Sequence, residues 1–326
     1  MRTFRPQLQI FWLWLLAIAA VAGPPAQAQD YPTNPVKLVT QGAPGSGPDV
    51  IARILADHLG RLWGQQVLVL SHPGAAGSAA ARVAAAAPPD GYTLYMPATS
   101  AFVVMPEMLP NLPFDLERDF ARIGFVGEQP MMFAVASALG VNSLAELIAR
   151  SKARPGEILY AANLRGSFPH LTVELFRRRT GADLTYIPYQ GAAGGLQDIL
   201  GGRIAMIAES LPPLFGAIQA GSIKPLAVAS VKRLPSFPDL PTVAETSPGF
   251  AAMGWFVLLA PAGTPEAIVR KVNQDLAKVL EQPEFQKRFQ DLGTFVRPMT
   301  PAETTEFIRS ERQLWRPLVR QLGTSQ

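Results

Sequence analysis

Side chains able to carry nucleophilic, acid–base or metal chemistry are few in this chain and far apart. There are three histidines, His58, His72 and His170, and none stands at metal-ligand spacing from another. Cysteine is absent, so there is no thiolate nucleophile. Pro44-Gly45-Ser46-Gly47 lacks the spacing of a Gly-x-Ser-x-Gly elbow. Without a nucleophile beside its base or a paired acid and base, the residues argue against an enzyme. What recurs is a different feature. Glycine-bearing segments at 42–48, 72–78, 163–169 and 190–195 each join a strand pattern to the start of a helix pattern. The first turn of a helix carries unpaired N–H groups and a partial positive charge, so several such turns together hold an anion without a basic side chain. One such loop is an ordinary turn; four of them, spread over both halves, point to a bound anion. Ser46, Ser78 and Ser167 cap their helices, donate to a ligand, or do both. The spacing of Gly42, Gly45 and Gly47 fits neither the dinucleotide fingerprint nor the phosphate loop.

The elements that must position these loops alternate. Strand patterns lie over 36–41, 66–70 and 92–96, with helix patterns over 49–62 and 78–87 between them. Val50, Ile51, Ile54, Leu55, Leu59 and Leu62 form the apolar side of the first helix; His58 belongs to its packing. The middle repeats the logic, with strands over 133–136, 157–161, 184–187, 204–208 and 225–229 and a helix over 170–180. Ser143 and Glu146 make a capping box. In the tail, Thr264 and Pro265 start one helix to about Glu281, and Thr300, Pro301 and Glu303 start another. Strands alternating with helices imply an α/β protein with parallel sheets and ligand loops at the strand C-termini.

Composition bounds the setting. Arg2 and Arg5, an apolar run over 8–22 and the small-residue site Ala26-Gln27-Ala28 read as an export signal cleaved near Ala28. No second segment reads as a membrane span, so the mature chain is expected to be soluble. It suits two domains of ordinary size. Absence of cysteine fits export and leaves no attachment point for a lipid at the cleavage site. The net charge of +4 falls to +2 when residues 1–28, which hold two arginines and no acid, are removed. Basic residues are scattered except for Arg177-Arg178-Arg179, which reads as a solvated helix face, so nucleic acid is excluded as a partner.

Many short motifs, in order, resemble one family. Among them are Pro44-Gly45-Ser46-Gly47-Pro48-Asp49, Pro73-Gly74-Ala75-Ala76-Gly77, Pro89-Asp90-Gly91-Tyr92-Thr93, Gly166-Ser167 with His170-Leu171, Pro188-Tyr189-Gln190-Gly191, and Trp255 with Ala260-Pro261-Ala262-Gly263-Thr264-Pro265. They resemble the Bug family, the periplasmic receptors of tripartite tricarboxylate transporters, over essentially the whole mature chain. The resemblance implies a two-lobed type II periplasmic-binding fold, each lobe a mostly parallel sheet flanked by helices. One lobe would comprise 30–126 plus 254–326 and the other 127–253, with crossings near 126–129 and 252–254 as the hinge. It implies a monomer without cofactor or metal. The ligand would be a small organic carboxylate, passed to membrane transporter subunits; the rival uses are a sensor component and an exported enzyme. Contacts would come from Gly45, Ser46, Gly47, Thr99 and Ser100 in the first lobe and from Asn163, Gly166, Ser167, His170, Tyr189, Gln190 and Gly191 in the second. His170 touches the ligand or orients its loop. Asp49 reads as a helix-start acid paired with Arg53. Departures from the family pattern fall at Gly42, Arg165, Ala205 and Glu209. Arg165 reaches a second carboxylate or stands exposed on its loop. Glu209 accepts a ligand amine or hydroxyl, or is a solvated or capping acid.

Overall fold

The computed structural model describes residues 31–109 and 111–323. The expected export signal lies outside these residues. The chain opens with β1 (Val36–Thr40), then α1 (Gly47–Trp63), β2 (Val67–Ser71), α2 (Ser78–Ala85), β3 (Thr93–Met96) and the short α3 (Thr99–Val103) and α4 (Met105–Met108). A 17-residue strand, β4 (Phe120–Ala136), follows. Then come α5 (Leu144–Ala153), β5 (Leu159–Asn163), α6 (Phe168–Thr180), β6 (Thr185–Tyr189), α7 (Ala192–Leu200), β7 (Met206–Ser210), α8 (Leu211–Gln219) and β8 (Ile223–Val228). Last are β9 (Met253–Pro261), α9 (Glu266–Glu281), α10 (Pro283–Asp291) and α11 (Pro301–Gly323).

Two mixed sheets share β4. In the first, β1 pairs parallel with β2 and β3, β9 joins β3 antiparallel, and residues 120–130 of β4 pair antiparallel with β9. In the second, β5, β6 and β7 are parallel, while residues 131–136 of β4 lie antiparallel between β7 and β8. Register shifts at Arg122/Gly124 and Phe125/Gly127 bend β4 as it leaves the first sheet. Its burial is nearly continuous, not alternating, because helices cover both faces. That is why only 133–136 read as a strand in the sequence.

The helices follow their sequence signals with three corrections, to the buried stripe of α1 and to the caps of α5 and α9. Gly64, left-handed at φ 63°, ends α1, and Ile51, Leu55 and Leu59 form its buried stripe. Val50 and Ile54 are only half-buried and Leu62 is exposed; Ala52, Ala56 and His58 take their place. His58 Nδ1 lies 2.6 Å from Gln282 Oε1, with its ring edge-on to Phe285, a packing role. At α5, Ser143 Oγ accepts from Glu146 N–H, but the Glu146 carboxylate reaches back to Asn142 N–H, one residue before the cap. At α9, Pro265 occupies the N-cap position and the Thr264 hydroxyl donates to the Pro261 carbonyl, so Thr264 does not cap that helix. Thr300 and Glu303 exchange the two bonds of a capping box at α11. Sequence reading passed over α8 and α10, each announced by a proline in its first turn.

One apolar cluster runs from the first sheet into the second, through Tyr95, Phe102, Trp255, Phe168 and Trp315. Helix α11 closes it: Trp315 meets Phe168 edge-on with ring centres 5.0 Å apart, while Arg316 and Arg320 both pair with Glu107 of α4.

Candidate functional site

Five helices of eight residues or more begin on the wall of one cleft between the sheets. Their N-cap residues are Ser46 (α1), Gly77 (α2), Ser167 (α6), Gly191 (α7) and Ser210 (α8), and all five line it. The cleft encloses about 850 Å³, its open mouth included. Strand ends place these helix starts there, so unpaired N–H groups and positive dipole ends converge from both sheets. All four glycine loops singled out in the sequence contribute to the wall. The fifth start, at Ser210, was missed; Leu211-Pro212-Pro213 after a serine is the signal that would have found it.

Two of these caps leave their side chains free of ordinary capping bonds. Ser46 is 5% exposed, caps nothing with its side chain, and its Oγ is a buried polar atom without a hydrogen-bond partner among the described residues. Ser210 Oγ turns to Glu209 instead. Ser167 does accept from His170 N–H, at 3.4 Å. On the 72–78 loop, Gly74, Ala75, Ala76 and Gly77 all have positive φ, from 45° to 118°. For the two alanines this is strained backbone, costing about 1 kcal/mol or more each, and such strain concentrates where a ligand is held.

Other expected residues divide cleanly. Thr99, Ser100, Asn163, Arg165, Gln190 and Glu209 join Ser46, Ser167 and Gly191 on the wall. Gly45, Gly47, Gly166, His170 and Tyr189 do not line it: Gly47, Gly166 and His170 are buried, Tyr189 is half-buried and Gly45 is exposed. Tyr189 Oη donates to Asp198, and Gly45 N–H donates to Asp49. Asp49 also takes a bidentate pair from Arg53 and the Ser71 hydroxyl; burial alone would push its carboxyl up, but these bonds hold it below the usual range. Gly47 and Gly166 serve close approach between the sheets. A Cβ on Gly47 would lie 2.3 Å from Ser210 Oγ, and one on Gly166 would lie 2.8 Å from Val104 Cγ1. Sequence reading also missed Gln41, Gln129, Met131, Trp255 and Phe256 on the wall. They sit where β1, β4 and β9 meet the cleft; of the five, only Trp255 belongs to a motif of the family resemblance, and that motif says nothing of the wall.

Among the described residues, two on the wall are charged, Arg165 and Glu209. Arg165 is exposed and has no ion-pair partner among the described residues. Glu209 is 3% exposed; burial pushes its carboxyl above the ordinary value, partly offset by donors from Ser210 and Asn163. Behind the wall, His170 Nδ1 accepts from Gly166 N–H and so is held unprotonated at that atom. Burial lowers its pKa, Glu174 opposes this, Arg165 and Arg177 add to it, and the result is about 4. The folded value lies below the unfolded one of about 6.5, so the neutral ring's contribution is fully present above pH ~6.5 and lost as pH falls towards 4. Chemical denaturation should therefore show stability dropping by up to about 3 kcal/mol over that window, and His170→Gln should flatten this part of the profile. An equally steep profile in the variant would place the titrating group elsewhere.

The comparisons with known proteins agree with one another. Residues 51–324 match the model of the tripartite tricarboxylate transporter family receptor. The chain is 36% identical to the protein BugT of Bordetella pertussis over 310 residues, 94% of this chain and 95% of that one. Among solved structures, an R. palustris protein with adipate superposes at a TM-score of 0.86 with 31% identity, covering 90% of this chain and 98% of that one. The periplasmic binding protein BugD gives 0.83 and 30%, over 90% and 99% of the two chains. MatC of Rhodopseudomonas palustris with bound malate gives 0.80 and 28%, over 89% and 100%.

Proposed function

The chain belongs to the tripartite tricarboxylate transporter family of receptors, and from that premise we propose that it captures a small organic carboxylate in the cleft and hands it, unchanged, to a membrane transporter. The observation that carries the ligand class is the convergence of five helix starts on one wall, with the Ser46 hydroxyl unpaired among them. Such a wall stabilises negative charge with fixed N–H donors and little basic side chain. The adipate and malate held by the two relatives support the same class. Members of the family are binding receptors, which supports a binding role over a catalytic one.

In this reading the lobes are 30–126 plus 254–326 and 127–253. The two crossings run side by side, with Gln129 opposite Gly254, and act as the hinge. Ser46, Thr99 and Ser100 grip from the first lobe. Asn163, Arg165, Ser167, Gln190, Gly191 and Glu209 grip from the second. Gly45, Gly47, Gly166, His170 and Tyr189 shape these segments without lining the cleft. Only the closed form offers both sets, so ligand favours closure. Residues 1–28 direct export to the periplasm and are removed, and the mature chain acts as a monomer that meets its transporter transiently.

Titration calorimetry with a panel of di- and tricarboxylic acids tests the reading. At least one should bind one-to-one and be recovered unaltered. Ser46→Ala should weaken that acid by about tenfold, the worth of one hydrogen bond to a charged group, while leaving thermal stability unchanged because no capping bond is lost. Unchanged affinity in the variant would move the carboxylate away from α1, and product formation would make the protein an enzyme.

A further inference from the structure

Glu209 is at odds with the wall it belongs to. Everything else there favours an anion: five helix starts, the free Ser46 hydroxyl and Arg165. A buried carboxylate facing the same space repels an anion and is itself expensive to bury without a counter-charge. Yet Glu209 is held in place. Its Oε1 accepts from Ser210 N–H at 2.8 Å and from Ser210 Oγ at 3.1 Å, and its Oε2 accepts from Asn163 Nδ2 at 2.9 Å. All three donors are neutral, and among the described residues Glu209 has no ion-pair partner. A carboxylate oxygen accepts about two hydrogen bonds, so Oε1 is filled and one position on Oε2 stays open.

We propose that the ligand bears a protonated amine that donates to this open position on Glu209 Oε2, so that the acid captured is a zwitterionic amino acid. The inference rests on the carboxylate reading above and narrows it. The ligand's carboxylate takes the helix starts; its ammonium supplies the counter-charge that Glu209 lacks. A hydroxyl would fill the acceptor position but leave the charge uncompensated, whereas an ammonium makes the stronger, charge-assisted bond. One anionic and one cationic subsite on the same wall then select against simple acids of the same length.

Matched pairs that differ only in the amine provide the test: L-glutamate with glutarate, L-aspartate with succinate, and L-leucine with 4-methylpentanoate. Each is titrated into the full mature chain and into Glu209→Gln, which keeps the side chain's shape. The amino member of at least one pair should bind the unaltered protein at least about tenfold more tightly, and the variant should cut that preference to within about threefold. The measurement on the unaltered protein decides by itself if the variant fails to fold. Equal or tighter binding of the amine-free member overturns the inference and leaves the receptor reading standing. So does binding confined to amine-free acids of the wider panel, where tightening at low pH would mark a protonated Glu209 shared with the ligand. Binding of no carboxylate, with or without an amine, removes both readings. A preference that survives unchanged in Glu209→Gln assigns the ammonium to another acceptor and overturns the role given to Glu209.

Discussion

Gly47→Ala is expected to weaken ligand binding by roughly ten- to a hundredfold while leaving each lobe folded, because one added methyl blocks closure. The new Cβ would stand 2.3 Å from Ser210 Oγ and 2.4 Å from Gln129 Oε1. Neither atom can retreat freely. Ser210 Oγ is bonded to Glu209, and buried Gln129 donates through Nε2 to Thr294 Oγ1 at 2.9 Å. Overpacking of this kind costs about 1–3 kcal/mol, and in the proposed closing motion it falls on the form in which Gly47 meets Ser210. Affinity drops by the fraction of closed state lost. Alanine is otherwise welcome at the first position of a helix, so melting temperature should hold or rise slightly. Calorimetry with a bound acid and small-angle scattering of the loaded protein check this together. Unchanged affinity would mean that the lobes meet elsewhere when the ligand is held.

Trp255→Ala should produce the largest loss of stability of any single substitution at the site, about 3–5 kcal/mol, equivalent to of the order of 10 °C in melting temperature. Trp255 is fully buried on β9 and packs against Phe102 and Phe307 with ring centres 5.3 and 5.5 Å away. Its indole N–H donates to Glu311 Oε2 on α11, and its backbone N–H donates to Thr99 Oγ1. Removing the ring opens a cavity in the cluster that joins the lobes. It also leaves Glu311, whose carboxyl burial already pushes up, with Trp315 as its remaining indole donor. Trp255→Phe keeps most of the packing and should cost clearly less. A thermal scan showing the alanine variant within about 2 °C of the unaltered protein would contradict the placement of this residue.

The helix starts were legible because their chemistry is local. Glycine, proline and serine between a strand pattern and a helix pattern announce a turn whatever lies far away, and the four loops so marked all reach the cleft. The pairing of Asp49 with Arg53 followed from i,i+4 spacing for the same reason. What was not legible depends on contacts distant in sequence. Gln129 and Trp255 reach the wall only because β4 and β9 lie side by side, 125 or so positions apart; the resemblance implied that the two crossings meet there, but no local pattern placed either side chain on the wall. Gly47 and Gly166 read as residues that approach a ligand. In the folded chain they face protein instead, Ser210 and Val104, too close to admit a side chain. Strand β4 was read as four residues because a strand buried on both faces has no alternation to detect.

Native mass spectrometry of the mature protein with a mixture of amino-bearing and amine-free carboxylic acids shows whether the cleft takes up an acid and releases it unchanged. One small acid per chain should be retained through gentle ionisation and returned with its mass unchanged when the protein is unfolded. A protein that stays bare across the mixture, or an acid returned with an altered mass, would contradict the proposed function.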